Sequence, residues 1–433
     1  MEPMAEPSDS TQHVGAFGLF AINAYWPGLS FMWNSLHLII LPAVLLMFVD
    51  DARKNTVLGL LTFGGLVIAL LIQPISGALS DAWRSRLGRR RPLMVLGTLG
   101  DLVFLYIMAT AHSLGALAVG YVGLQLSSNI AHGPAQGLMH DRVPSTQMGL
   151  ASAVKNFFDM AGLVVSSLVM GRMIASQNPN PAPAIAVVAG LMIAGLLITV
   201  FGVRERSSTR ATANLGAGLK QSFRIDVQGN TGYWRLIWSR FLFLFGVYGI
   251  QAFAQYFVRD KLQPPNPLEL TGDLMAAIAL SLIAFAMLAG SLSDRFGRKP
   301  IHVAAAILVA VGSLLMLTPV TSTTVLLYGS VIGAGIGLFI TANWALANDL
   351  APAGEAGKFL GLTNLATAGA GAASRLTGPG IDALNAMSPG ANLGYSALFA
   401  GGAVLALVSL LALRRVPDQK LLAAPIPAGD PIV

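Results

Sequence analysis

Lys155 and Asp159 stand four residues apart in an otherwise apolar run, so a helix would put an ammonium and a carboxylate on one face, close enough to pair. Ionisable groups at mid-bilayer depth are costly unless they are neutralised or reach water, which makes each one a candidate for function. At about 1.5 Å per residue the two lie roughly 13 and 19 Å in from the nearer end of their run. Counting back along the preceding run from Asp141 sets His132 and Asn129 at roughly 13 and 18 Å, so the four are expected to gather near the midplane. There Asp159, partnered by Lys155, is suited to carry a proton whose arrival frees the Lys155 charge, with Asp101 as a further proton-coupling candidate. Asn129, His132 and Arg240 are suited to hydrogen-bond a polar solute. Trp33, Asn34 and His37, in the first apolar run, combine an aromatic face with two polar groups, as a sugar site requires. A static ion pair that only locks helices is the competing explanation for Lys155 and Asp159. Arg375 suits helix packing or gating better than binding.

These residues need a membrane scaffold, and the composition supplies one. Hydrophobic residues make up 54% of the 433-residue chain and charged residues 11%, where a soluble protein carries roughly a quarter. Mean hydropathy is +0.66. There is no cysteine, which removes disulfides and thiolate chemistry. The net charge of +7 sits in loops between apolar runs, so nucleic acid is not expected as a partner. The opening segment is acidic and Pro/Ser-rich, unlike a cleavable signal peptide. Runs long enough to span hydrocarbon fall near 25–48, 56–79, 92–111, 114–138, 147–171, 183–203, 234–257, 272–292, 300–318, 324–347, 356–385 and 391–413. Twelve spans set both termini on one side. That side holds 19 of the 27 Lys and Arg residues, and the other holds Arg53, Lys54, Arg172, Arg259 and Lys261. Cytoplasmic termini are therefore expected.

The chain also repeats itself. Gly77-Ala78-Leu79-Ser80-Asp81 followed by Gly88-Arg89-Arg90-Arg91-Pro92 is answered by Gly290-Ser291-Leu292-Ser293-Asp294 followed by Gly297-Arg298-Lys299-Pro300. With an offset of 208, Pro92 meets Pro300, Asp141 meets Asp349, Pro144 meets Pro352, Gly149 meets Gly357 and Asn156 meets Asn364. Duplication of a six-span unit explains this, giving an N-terminal bundle over 1–203, a linker over 204–232 and a C-terminal bundle over 233–433, with a substrate site expected between them. Asp81, Gly88, Arg89, Arg90 and Asp141 in one half, and Asp294, Gly297, Arg298 and Asp349 in the other, are expected to form ion-paired latches that hold one conformation.

The two loops resemble the signature of the major facilitator superfamily, which implies an all-α membrane protein of two pseudo-symmetric six-helix bundles. The first loop is longer than the commonest form. Asp81-Ala82-Trp83-Arg84-Ser85-Arg86-Leu87-Gly88-Arg89-Arg90-Arg91-Pro92 is similar to the glycoside–pentoside–hexuronide:cation symporters and the related sucrose transporters. So is Asn129-Ile130-Ala131-His132-Gly133-Pro134 with Gly137-Leu138-Met139-His140-Asp141. The resemblance implies alternating-access transport of a glycoside, disaccharide or sugar-like solute, as a monomer in a bacterial inner membrane.

Absences narrow the coupling ion. Span 2 has no acidic residue before Ser80, whereas sodium- or lithium-coupled members of that branch carry acids there. A hard cation needs several oxygen ligands, so a proton is the expected partner, with no cofactor and no metal. Span 5 lacks the Gly-Pro-Gly-Gly-type signature of proton-driven drug exporters, the main rival class. A non-transporting membrane factor that binds pigment, lipid or an assembly partner is the second rival. No phosphate-binding Gly-Lys-Ser/Thr loop or hydrolase motif supports ATP-driven or catalytic chemistry.

Overall fold

The computed structural model describes residues 13–83, 85, 87–174, 180–203, 205, 230–318, 321–352 and 355–416. Most of the expected linker over 204–232 lies outside the described residues, as do Arg84 and Arg86. All regular structure among the described residues is helical. Eleven helices are long and apolar enough to cross a membrane: α1 (Ala16–Leu45), α2 (Lys54–Ala82), α3 (Arg91–Ala109), α4 (Leu114–Arg142), α5 (Ser145–Met173), α6 (Ala182–Gly202), α7 (Thr231–Leu262), α8 (Pro267–Phe296), α9 (Arg298–Leu315), α10 (Ser322–Leu350) and α12 (Leu393–Arg414). Between the last two, α11 comes in two pieces, Ala356–Ser374 and Gly378–Met387, joined by a 3-10 turn over Arg375–Thr377.

The break in α11 corrects the expectation of one continuous run over 356–385, and proline explains it. Pro379 has no N–H to give the Arg375 carbonyl, and its ring crowds that oxygen. The released carbonyl points at Gly59 of α2, where a Cβ would collide with it. The same chemistry shapes α1. Pro27 withholds a bond from the Asn23 carbonyl, and the helix turns at Ala24 before restarting at Tyr25. Pro42 does so at Leu38, inside a π-turn over Leu36–Ile40. With its nitrogen turned toward them, the Gln255 amide reaches the Leu38 and Ile39 carbonyls at 3.0 and 3.2 Å. The span expected at 25–48 therefore runs from 16 to 45, kinked twice.

Elsewhere the ends are set by ordinary capping. Ser113 accepts from the Ala116 N–H at the start of α4, and Thr321 and Thr324 form a reciprocal capping box at the start of α10. The α3–α4 and α9–α10 pairs are the most extensively packed in their respective repeats. A Cβ on Gly97 of α3 would stand 2.6 Å from the Ser127 carbonyl of α4, and one on Gly312 of α9 would stand 2.7 Å from Ile332 of α10. Small residues at these crossings let the backbones close, as helices in lipid require. Large apolar side chains such as Phe201, Met287 and Leu71 point outward, as a hydrocarbon solvent permits.

Packing divides the chain into two compact units. The first comprises Met1–Phe223, Ala252–Ala276 and Arg375–Gly390; the second comprises Arg224–Gln251, Ala277–Ser374 and Ala391–Val433. Their boundary thus runs through α7, α8 and α11. The first unit is built on α1 to α6 and takes in one end of α7, one end of α8 and the second piece of α11. The second has a core that includes Tyr233, Leu236, Leu346, Phe359 and Leu413.

Candidate functional site

In the first unit, the i, i+4 spacing on α5 does what helical geometry requires: Lys155 Nζ lies 2.7 Å from Asp159 Oδ2. The Lys155 side chain faces α1. The ammonium sits 4.1 Å above the Trp26 ring, and His132 of α4 meets the same ring edge-on, centroids 5.2 Å apart. Ser30 Oγ donates to the Asp159 backbone carbonyl at 2.9 Å, and Gly162 leaves room for Ser30 at this crossing. A cation, a carboxylate, an imidazole and an indole thus meet at one place, and the pair is part-exposed, 21% for Lys155 and 27% for Asp159. Protonating Asp159 would remove the partner of Lys155 and leave its ammonium against the indole.

Asn129, expected in the same cluster, belongs to a second group. Its Nδ2 donates to the Gln125 carbonyl at 2.8 Å. Gln125 Nε2 donates to Tyr121 Oη at 2.8 Å, and Tyr121 Oη lies 2.9 Å from His37 Nε2. Trp33 stacks on His37 at 5.2 Å, while Asn34 donates to the Ser30 carbonyl at 2.8 Å, nearer the Lys155 group. Trp33, Asn34 and His37 are therefore not one set. Asp101 is fully buried: Ser127 Oγ donates to its Oδ1 at 2.6 Å, and Oδ2 has no partner among the described residues.

The two sets of residues expected to form latches make the same arrangement of ion pairs twice. Arg90 bridges Asp81 at 2.5 Å and Asp141 at 2.8 Å and also reaches Ser80. Arg298 bridges Asp294 at 2.5 Å and Asp349 at 3.2 Å and donates to Ser293 at 3.1 Å. Arg89 adds a 2.5 Å pair to Asp141. Gly88 and Gly297 precede these arginines with φ of +99° and +94°, which glycine adopts without strain. The first latch holds one residue that sequence spacing does not reveal. Glu205, just past α6, accepts from the backbone N–H groups of Arg90 and Arg91 at 3.0 to 3.2 Å and caps the start of α3. Each latch lies within its own unit.

The opposite end of the first unit carries a network that topology counting treats only as orientation charge. Lys54 pairs with Asp260 at 2.5 Å and with Asp51 at 3.3 Å. Arg259 grips Asp51 at 2.7 and 3.1 Å, which holds the Asp51 carboxyl below the usual carboxylate range. Asp382 accepts three bonds, from Asn55 Nδ2, Thr56 N and Thr56 Oγ1, each at 2.7 Å. Arg172 pairs with Asp273 at 2.8 Å. These contacts tie α2 and α5 to the ends of α7, α8 and α11. The available signal is that Asp51, Asp260, Asp273 and Asp382 cluster at the same set of loops as the five basic residues.

In the second unit, Arg240 of α7 is buried, 6% exposed. Nε donates to Thr367 Oγ1 of α11 at 2.8 Å and Nη1 to Asn343 Oδ1 of α10 at 2.5 Å, with the Trp344 ring 5.7 Å away. Asn343 and Thr367 lie on helices far along the chain and carry no signal of this role in sequence. No group of three or more His, Asp or Glu suited to a metal occurs among the described residues.

Comparison with solved structures finds the same architecture in proteins of low sequence identity. A nucleoside transporter, NupG, superimposes with a TM-score of 0.69 at 13% identity over 92% of this chain and 100% of that one. A D-xylose-proton symporter gives 0.70 at 16% identity over 94% and 99%. A peptide transporter, POT, in complex with sulfate gives 0.70 at 14% identity over 94% and 97%. No curated protein matches the chain in sequence. The family profile described as Major Facilitator Superfamily matches residues 14–374. A duplicated set of membrane-spanning helices with one latch per repeat accords with that match, and the chain belongs to the Major Facilitator Superfamily of transporters.

Proposed function

We propose that the protein is a proton-coupled secondary transporter of a glycoside, disaccharide or sugar-like solute in a bacterial inner membrane, with both termini cytoplasmic. The repeats over 1–203 and 233–433 act as two bundles that alternate access to the solute. The observation that carries this reading is the Lys155–Asp159 pair against Trp26 and His132. Asp159 takes the proton, and Lys155, released from it, favours a different set of contacts, so proton binding shifts the balance between two conformations. Trp26 is buried behind the pair, and part-exposed His132 and Asn34 are the polar partners offered to hydroxyls. The Asp-x-x-Arg-Ser-Arg loop and the span 4 motif support the glycoside–pentoside–hexuronide and sucrose-transporter branch, and the shared fold of a D-xylose-proton symporter is consistent with it.

Transport into proteoliposomes tests this against a panel of glycosides. Counterflow exchange of at least one glycoside is expected, together with accumulation driven by an inward proton gradient. Asp159→Asn should keep counterflow within about threefold and lose gradient-driven accumulation, because only the proton-dependent step is removed. Accumulation by Asp159→Asn equal to wild type would overturn the assignment of the proton. No exchange of any sugar at any pH would overturn the sugar reading.

A further inference from the structure

The second unit buries a cation that no carboxylate among the described residues neutralises. Arg240 touches Thr367, Asn343 and Trp344, and among the described residues no Asp or Glu pairs with it. Its Nη2 has no hydrogen-bond acceptor there. Asn343 is fully buried, and its Nδ2 also donates to nothing. A buried guanidinium is normally paired, because an unpaired charge in a desolvated place is among the costliest features a protein can keep. A buried amide donor with no acceptor, beside a guanidinium whose Nη2 also has none among the described residues, describes a place where an acceptor belongs.

The internal duplication identifies what is missing. The offset of 208 residues that carries Pro92 to Pro300 also carries Lys155 to Thr363 and Asp159 to Thr367. In the first repeat, the carboxylate at that position on α5 neutralises the part-exposed Lys155 cation at 2.7 Å. In the second repeat, Arg240 supplies the cation, and the residue in the carboxylate's place is a threonine that gives it only a hydroxyl. The positive charge is present, and the matched position lacks the carboxylate that the first repeat has there.

We propose that Arg240, with Asn343 Nδ2 and the Trp344 face, binds an anionic group carried by the transported solute, of carboxylate type. The unused Nη2 edge of the guanidinium and the Asn343 amide supply converging donors, and a planar anion matches that fork better than a hydroxyl does. Thr367 holds Nε and fixes the guanidinium plane; it is a positioning residue. This inference rests on the transport reading above and sharpens it: the solute is charged.

The test uses two matched pairs, binding being read by quenching of tryptophan fluorescence in the purified full chain. The first pair is 4-nitrophenyl β-D-glucuronide against 4-nitrophenyl β-D-glucoside, which differ by a carboxylate in place of a hydroxymethyl group. The second is benzoate against benzamide. In wild type, the anion of at least one pair should bind at least about tenfold more tightly than its neutral partner, the scale of one charge-assisted hydrogen bond. Arg240→Gln should abolish that preference, and Arg240→Lys should retain part of it. Thr367→Asp restores the carboxylate found in the first repeat. It should raise thermal stability and remove anion binding, so the result does not depend on a variant that fails to fold. Tighter binding of benzoate with no binding of either sugar would end the sugar reading and keep the anion site. Equal binding of glucoside and glucuronide, with benzoate and benzamide also equal, would end the anion site and keep the sugar reading. No anion binding in wild type, or an unchanged preference in Arg240→Gln or Thr367→Asp, would overturn the proposal.

Discussion

Replacing Arg90 with Ala is expected to destabilise the protein far more than replacing Arg298, its counterpart in the second repeat. Each guanidinium bridges two carboxylates, but burial differs. The Arg90 side chain is 6% exposed, with Asp141 at 21% and Asp81 at 46%. Arg298 is 25% exposed, with Asp349 at 36% and Asp294 at 74%. Truncating one member of a buried pair costs about 3–5 kcal/mol, because the charge left behind is desolvated and alone. Here Asp81 is hydrated and Asp141 keeps Arg89, so the cost of Arg90→Ala falls to about 2–3 kcal/mol. The exposed Arg298 pairs lie in the range of about 0–1 kcal/mol. With a thermal shift of about 2 °C per kcal/mol for a unit of this size, the apparent Tm should fall by about 4–6 °C for Arg90→Ala and by less than about 2 °C for Arg298→Ala. Unfolding monitored in detergent, with all variants at one lipid-to-detergent ratio, gives the comparison; the difference between variants is used because a single unfolding free energy is not defined for a chain of two units. Arg90→Lys, which keeps the charge and loses the fork, should fall between wild type and Arg90→Ala. Equal shifts for the two Ala variants, or a larger one for Arg298→Ala, would refute the argument that burial sets the weight of each latch.

Other outcomes follow from the same geometry. Gly88→Ala must adopt a φ near +99° and also displaces the Glu205 carboxyl, so it should cost about 1–3 kcal/mol and lower Tm more than Arg298→Ala does. Asp382→Ala leaves Asn55 and Thr56 without their acceptor; in the cysteine-free chain, maleimide labelling of Ala43→Cys, buried near that end, should accelerate at least about fivefold, and an unchanged rate would show that Asp382 closes nothing. Asp51 ionises more readily when folded than when unfolded, so its contribution to stability is complete above its ordinary value of 3.8 and fades as pH falls through the lower folded value. The Tm difference between wild type and Asp51→Asn should therefore be flat from pH 8 to about 5 and shrink only below about 4; a difference that fades between pH 8 and 6 would contradict the Arg259 assignment.

The features legible in sequence are those whose partners lie at fixed spacing. Lys155 and Asp159 are four residues apart, and helix geometry alone brings them together. The latches are legible because Arg90, Asp141 and Gly88 recur as Arg298, Asp349 and Gly297. Partners on different helices are not legible, because no periodicity links them. Asn343 and Thr367 stand 103 and 127 residues from Arg240. Ser127 gives Asp101 its one hydrogen bond from another helix, and Glu205 follows a separate span. Trp33 stands beside Asn34 and draws attention, whereas Trp26 stands in an apolar stretch with no charged or amide neighbour in sequence. The turn at Ala24 explains why the first helix begins before its expected start. Proline at 27, 42 and 379 marks every interruption described in α1 and α11, while Pro74 and Pro134 leave α2 and α4 continuous.

Comparing the repeats position by position separates what holds the helices from what acts on a solute. The offset of 208 that pairs Arg90 with Arg298 also pairs Tyr25-Trp26 with Tyr233-Trp234. Both tyrosines bond to threonine hydroxyls on another helix, Tyr25 to Thr98 at 3.0 Å and Tyr233 to Thr363 at 2.6 Å. Positions that agree therefore carry packing and caps, which each repeat needs for itself. The acidic, imidazole and ammonium groups deep within the spans do not agree. His37, Asp101, His132, Lys155 and Asp159 face Phe245, Val309, Ile340, Thr363 and Thr367, and Arg240 faces Met32. Titratable side chains within the spans are concentrated in the first repeat, and the second holds His302 and the fixed charge of Arg240, which does not titrate near neutral pH. A duplicated scaffold needs each activity only once, so proton handling and recognition of a charged solute can be divided between halves without either half losing its packing. Substitutions at matched positions should accordingly move stability first, and substitutions at unmatched ones should move transport first.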